Sequence, residues 1–179
     1  MEKGATETNG RARFYQSAKP RADMTSSERR MGRRLLDKWA AASESRLLPS
    51  LQGVESGAEA EVLDRSFVID VTPGPGAYRF SRFGAKLRDM IGDDYTGRRV
   101  DSLPSHIAGD AMDLCHAAIS AAKPVGRSED LALLFGRAIC FRLLVLPVAN
   151  EQHQIDALVG TVGYKFHQLE SSARPQGAD

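Results

Sequence analysis

Histidine, cysteine and clustered arginine are the side chains in this sequence best suited to binding or reacting. His106, Cys115 and His116 fall within one segment, "SHIAGDAMDLCHAAISAA" at 105–122. As a helix turning about 100° per residue, it places Ile107, Ala111, Leu114, Cys115, Ala118, Ile119 and Ala122 on one apolar face centred between Leu114 and Cys115. His116 then lies about 130°, and His106 about 150°, from that centre. Neither imidazole is directed at the apolar side, so histidine-ligated haem is not expected and both read as solvated. Cys115 and Cys140 have no metal-site spacing and read as small, reduced, buried hydrophobes. Cys115 lies on this helix and Cys140 on a late strand candidate, and neither has the polar, aromatic-rich setting that a flavin adduct needs. His153 and His167 fall in a loop and past the last strand. No Ser/His/Asp order or GxSxG motif occurs. "GDDYTG" at 92–97 lacks the alternating oxygens and closing Glu of a calcium loop. The expectation is no catalytic residue, no metal, no resident cofactor and no enzymatic activity, with an unidentified small ligand left open.

Arginine offers a different chemistry. "RRMGRR" at 29–34 sets Arg30 and Arg34 four apart, a spacing suited to phosphate oxygens. It resembles the arginine motif of cyclic-di-nucleotide receptors of the PilZ type, and "DRS" at 64–66 echoes part of their second motif. Ile69 stands where the closing glycine belongs. A solvated helix face is the ordinary reading, and phosphate binding by Arg30 and Arg34 is the alternative. Upstream, Arg11, Arg13, Lys19 and Arg21 accompany Phe14 and Tyr15, a set that can meet phosphates and stack on bases. Residues 1–38 carry ten Lys/Arg and five Asp/Glu, a charge of +5, leaving −4 on residues 39–179 of the total +1. An acidic body makes nucleic acid an unfavoured partner.

The elements that position these residues follow from pattern. The 179 residues, 42% hydrophobic and 26% charged, suit one soluble domain with tails. No apolar run reaches the roughly 20 residues of a membrane helix, and residues 1–24 lack a signal-peptide core, so a cytoplasmic location is expected. Residues 1–24 read as a disordered tail, 25–48 as an N-terminal amphipathic helix, 49–64 as a linker, 65–168 as the domain and 169–179 as a second tail. Met31, Leu35, Trp39 and Ala42 make one thin stripe on the first helix, spanning about 27–44. Strands are expected near 66–71, 77–83, 127–135, 138–148 and 156–166, with a short helix at 84–92 and the long one at 105–122. Two hairpins flanking a helical crossover give an α+β fold, an antiparallel sheet with helices on one face and the N-terminal helix flanking it. Strand 138–148 is apolar on both sides: Ile139, Phe141, Leu143 and Val145 point one way, and Cys140, Leu144, Leu146 and Val148 the other, broken only by Arg142. Both sheet faces must be covered, and the N-terminal helix is the candidate for the outer one.

From Phe67 to Phe166 this pattern resembles the PAS sensory domain, in particular a stand-alone proteobacterial subfamily. Its first strand resembles "FVIDV", its second strand and glycine "YRFSRFG", its short helix and turn "LRDMIGDDYTGRRVDSL", and its late strand "RLLVLPV". Members carry a tryptophan and then a Gly-Pro-Arg-Asp type stretch before the first strand. Here Trp39 is followed by "SRLLPSLQGVESGAEA" after a short gap. The resemblance implies the strand order 2-1-5-4-3. It also implies that residues 78–104 wall a cavity, with Gly84 easing strand into helix, Gly92 ending that helix and Gly97 left-handed. The expected ligand-pocket face is Ile107, Ala111, Leu114, Cys115 and Ala118. Met31, Leu35 and Trp39 either cross the outer sheet or pair with the same helix of a second subunit, a homodimer. The implied role is sensory or regulatory, through a small molecule, a signalling protein or both. The alternative is cyclic-di-nucleotide or nucleic-acid binding through the N-terminal arginines.

Overall fold

The computed structural model describes residues 26–43, 47–134 and 137–166. The tails expected at 1–24 and 169–179 lie outside this range. The described elements are α1 (Ser26–Ala42), α2 (Leu51–Ser56), α3 (Ala60–Asp64), β1 (Ser66–Asp70), β2 (Arg79–Phe83), α4 (Ala85–Ile91), a 3-10 turn (Val100–Ser102), α5 (Ser105–Ala121), β3 (Val125–Leu134), β4 (Arg137–Ala149) and β5 (Ile155–Phe166). The strands form one sheet in the order β2-β1-β5-β4-β3, and each pair is antiparallel. Fold class and strand order are those expected.

Strand alternation divides the interior in two. Phe67 and Ile69 of β1, Val145 of β4 and Leu158 of β5 are buried on the inner face with Leu114, Cys115 and Ala118 of α5. Val68, Leu144, Leu146, Val148 and Val159 are buried on the outer face with Met31 and Leu35 of α1. Neighbours in sequence thus enter opposite cores, as the period of two requires. Leu35 is fully buried, a side chain contributing about 1.5–3 kcal/mol by removal from water.

Residues 49–64, expected as a linker, carry α2 and α3. Ser50 caps α2, its Oγ accepting the Gly53 N–H at 3.1 Å. Val54 and Val62 each plug one short helix into the outer core, both essentially inaccessible. Helices of six and five residues are too short to show a periodicity, and Gly53 and Gly57 imitate linker composition.

Both sheet edges are modified by chain that is not strand. Beyond β2, residues 97–100 add a partial rung: Phe80 N–H donates to the Arg98 carbonyl and Gly97 N–H to the Phe80 carbonyl. At the other side β4 overruns β3, whose pairing starts at Val125↔Val145. In the overrun, the Trp39 indole Nε1 donates to the Pro147 carbonyl at 2.7 Å, and Ala149 N–H donates to the Pro49 carbonyl at 2.9 Å. The N-terminal segment therefore takes up polar groups that β3 leaves behind.

Leu35→Ala is expected to lower stability in urea melts by about 2–5 kcal/mol. Leu47, 90% exposed, should change it by no more than about 0.5 kcal/mol on the same substitution. Equal losses would show that α1 does not pack on the sheet as described.

Candidate functional site

The inner face is built around aromatic side chains. Phe67, Phe80, Phe83 and Tyr95 meet edge to face or tilted, with ring centroids 5.2–6.2 Å apart, and Tyr78 joins the same core. Such pairs favour offset geometry because ring faces are negative and edges positive. α5 closes this interior: Leu114, Cys115 and Ala118 are buried, while Ile107 and Ala111 are half-buried and packed against the same cluster. All five residues expected to line a pocket therefore share one helix face turned to the sheet. Leu143 and Val162, a cross-strand pair on the inner face, are also half-buried.

The segment 78–104 leads from β2 into this wall. Gly92 ends α4 as expected, in a left-handed cap at φ +83°, and Gly97 turns at φ +79°, left-handed as expected. Gly84 differs. Its φ is −63°, which any residue adopts. A side chain is excluded there because the Asp64 and Ser66 carbonyls occupy the place of a Cβ, the latter 2.7 Å from it. The turn 93–101 is stapled by Arg98–Asp93, Arg88–Asp94 and Arg99–Asp101 ion pairs. The Arg98 hydrogen bond holds the Asp93 carboxyl below the usual carboxylate range, and the Thr96 backbone N–H does the same for Asp94. Arg98 also lies over the Tyr95 ring, 5.2 Å from its centroid.

The thiol and imidazole groups of α5 have bland surroundings. Burial pushes the Cys115 thiol up to about 12, so it stays neutral. Tyr78 is raised as well, by desolvation first and by its proximity to Cys115 second. His116 is exposed, its ring edge-on to Tyr78 at 5.6 Å. The His106 and Cys140 side chains lie outside those described. Among the described residues, no group of three or more His, Cys, Asp or Glu is placed to hold a metal ion, and no helix is long and apolar enough to cross a membrane.

On the outer face, Met31 and Leu35 are buried and Trp39 is half-buried against the sheet of their own chain. A subunit interface through these residues would require α1 to leave that sheet. Arg30 lies on α1 without a described side chain, and Arg34 contacts Glu61 at 3.5 Å. Sequence reasoning missed a polar tie beside them: Arg82 of β2 pairs with Glu55 of α2 and donates to Ser66 Oγ at 3.0 Å. No sequence signal marks it, because its partners come from three elements.

Leu114→Ala is expected to cost about 2–5 kcal/mol and His116→Ala well under 1 kcal/mol; comparable losses in thermal melts would contradict the face assignment. A thiol raised by burial favours the folded state only while the unfolded thiol keeps its proton too. Stability should therefore fall as pH rises from about 8.5 towards the raised value of about 12. Cys115→Ala should flatten that alkaline slope, and an unchanged slope would mean the thiol is not sealed.

Among known proteins, a family model described as PAS domain matches residues 27–163. No curated protein matches the sequence. A sensory box sensor histidine kinase from Vibrio cholerae is a structural neighbour at 16% identity and TM-score 0.47, covering 61% of this chain and 90% of that one. The PAS domain of Bordetella pertussis BvgS is another, at 15% identity and TM-score 0.45, covering 59% and 77%. With the family match extending from α1 into β5 over a sheet of order 2-1-5-4-3, this chain belongs to the PAS domain family.

Proposed function

We propose that this PAS domain is a cytoplasmic regulatory module in signal transduction. Its interior takes up a signal, as a small molecule or a change in packing, and its α1-bearing outer face passes that state to a signalling protein. The reading is regulatory and not catalytic. The observation that carries it is the shared sheet. β4 sends Val145 to the inner core and Leu144 and Leu146 to the outer one, and β5 sends Leu158 inward and Val159 outward. A shift of either strand that accommodates a change at α5 necessarily moves residues under α1, because close-packed interiors transmit displacement.

Ala118 is fully buried on the inner side of the sheet, opposite α1. Ala118→Leu overfills that side and should quicken hydrogen exchange across residues 26–42 while β5 amides keep their protection. Exchange altered only in α5 and the inner core would defeat the proposal. Native mass spectrometry of the purified protein separates the two modes. A retained small molecule released on unfolding supports sensing, and a bare chain that captures its partner supports docking alone.

A further inference from the structure

The long helix α5 is seated unevenly. Its C-terminal half buries Leu114, Cys115 and Ala118 in the inner core. Upstream of these, the next buried residue of that core is Leu103, ahead of the helix. Between the two anchors, every described side chain of residues 104–113 is exposed or half-buried. Ile107, Ala108, Ala111 and Met112 pack against the core without being enclosed by it.

The same half is weakly built as a helix. Pro104 occupies the N-cap and offers no side-chain acceptor to the first N–H groups, and no acidic residue stands in the first turn to meet the helix dipole. Gly109 lies inside the helix, where only proline is a poorer former. Neither space nor conformation requires a glycine there. A Cβ built on it meets no atom within 4 Å, and its φ is not left-handed.

An ion pair ties this half to the sheet. The Asp110 carboxylate meets the Arg127 guanidinium at 2.6 Å, both groups being partly buried. Arg127 of β3 is the cross-strand partner of Leu143 of β4, which is in turn the partner of Val162 of β5. Leu143 and Val162 belong to the inner-face packing and are half-buried. The pair therefore fastens α5 to an inner-face row that the helix does not seal.

We propose that residues 105–112 are a lid on the inner core that opens by local unfolding, with Leu114 anchoring its hinge and Asp110 with Arg127 forming its latch. Local opening falls where buried apolar contact is sparse, and this half of α5 meets that condition while the other half does not. Opening uncovers Leu143 and Val162 and leaves the sheet intact. The opening stands on the geometry of α5; its use as the way into the interior rests on the regulatory reading above.

The test is hydrogen exchange of the full chain, resolved by NMR and expressed as protection factors. Amides of residues 109–112 follow the first turn, so the unpaired N–H groups of the helix start do not mask them. They should be at least about tenfold less protected than those of residues 117–121. Gly109→Ala should raise protection at residues 110–112 about fivefold, from the difference in helix propensity, a gain that damaged folding cannot produce. Asp110→Asn should lower it about threefold, as for a partly exposed ion pair. Concentrated sodium chloride should lower it in the parent chain and not in Asp110→Asn, because salt screens the pair. Ala118→Leu probes the seated half and the outer face, so the regulatory reading and the lid can fail separately. Uniform protection along α5, no gain in Gly109→Ala, or exchange indifferent to both Asp110→Asn and salt would overturn the proposal.

Discussion

Everything in this fold depends on a sheet whose central strands are apolar on both faces. β4 places Leu144, Leu146 and Val148 on one side and Leu143 and Val145 on the other, and β5 repeats the arrangement with Val159 and Leu158. Water on either face would expose a continuous apolar surface. Two separate coverings follow. The crossover between the hairpins supplies α4 and α5 for the inner face, whereas among the described residues the outer face is covered by the chain that precedes β1. That accounts for the role of α1, α2 and α3 as a clamp: one thin stripe, two single-valine plugs, the Arg82–Glu55 pair and the Trp39–Pro147 hydrogen bond.

The consequence for function is a thin partition. The two cores are separated by one layer of backbone, and residues adjacent in sequence belong to different cores. The proposed regulatory role rests on this geometry, in which a change on the α5 side would reach the residues under α1 without a dedicated pathway. It also explains why the chemically striking residues of the sequence are quiet in the structure. Cys115 is a neutral filler of the inner core and His116 stands at its surface beside Tyr78.

Much of this was legible in the sequence, for identifiable reasons. Strand alternation placed Leu144 and Val145 on opposite faces, helical periodicity placed Leu114 and Cys115 on the buried side of α5, and Gly92 and Gly97 announced a helix end and a left-handed turn. What escaped was either too short or too distant. α2 and α3 bury one valine each, which leaves no period to read. Gly84 is fixed by the approach of the Asp64 and Ser66 carbonyls, and the Trp39 indole by a carbonyl 108 residues away. The contact of Arg34 with Glu61 joins α1 to α3 across 27 residues, a pairing that no local pattern announces.

Trp39 is the sole tryptophan, so its fluorescence reports the clamp directly. The decisive measurement is its emission and acrylamide quenching in dilute protein whose light-scattering mass is that of one chain. The account predicts blue-shifted emission shielded from quencher, reverting to the solvated value in urea. Red-shifted, freely quenched emission from the folded single chain would contradict the claim that the N-terminal helix covers its own sheet.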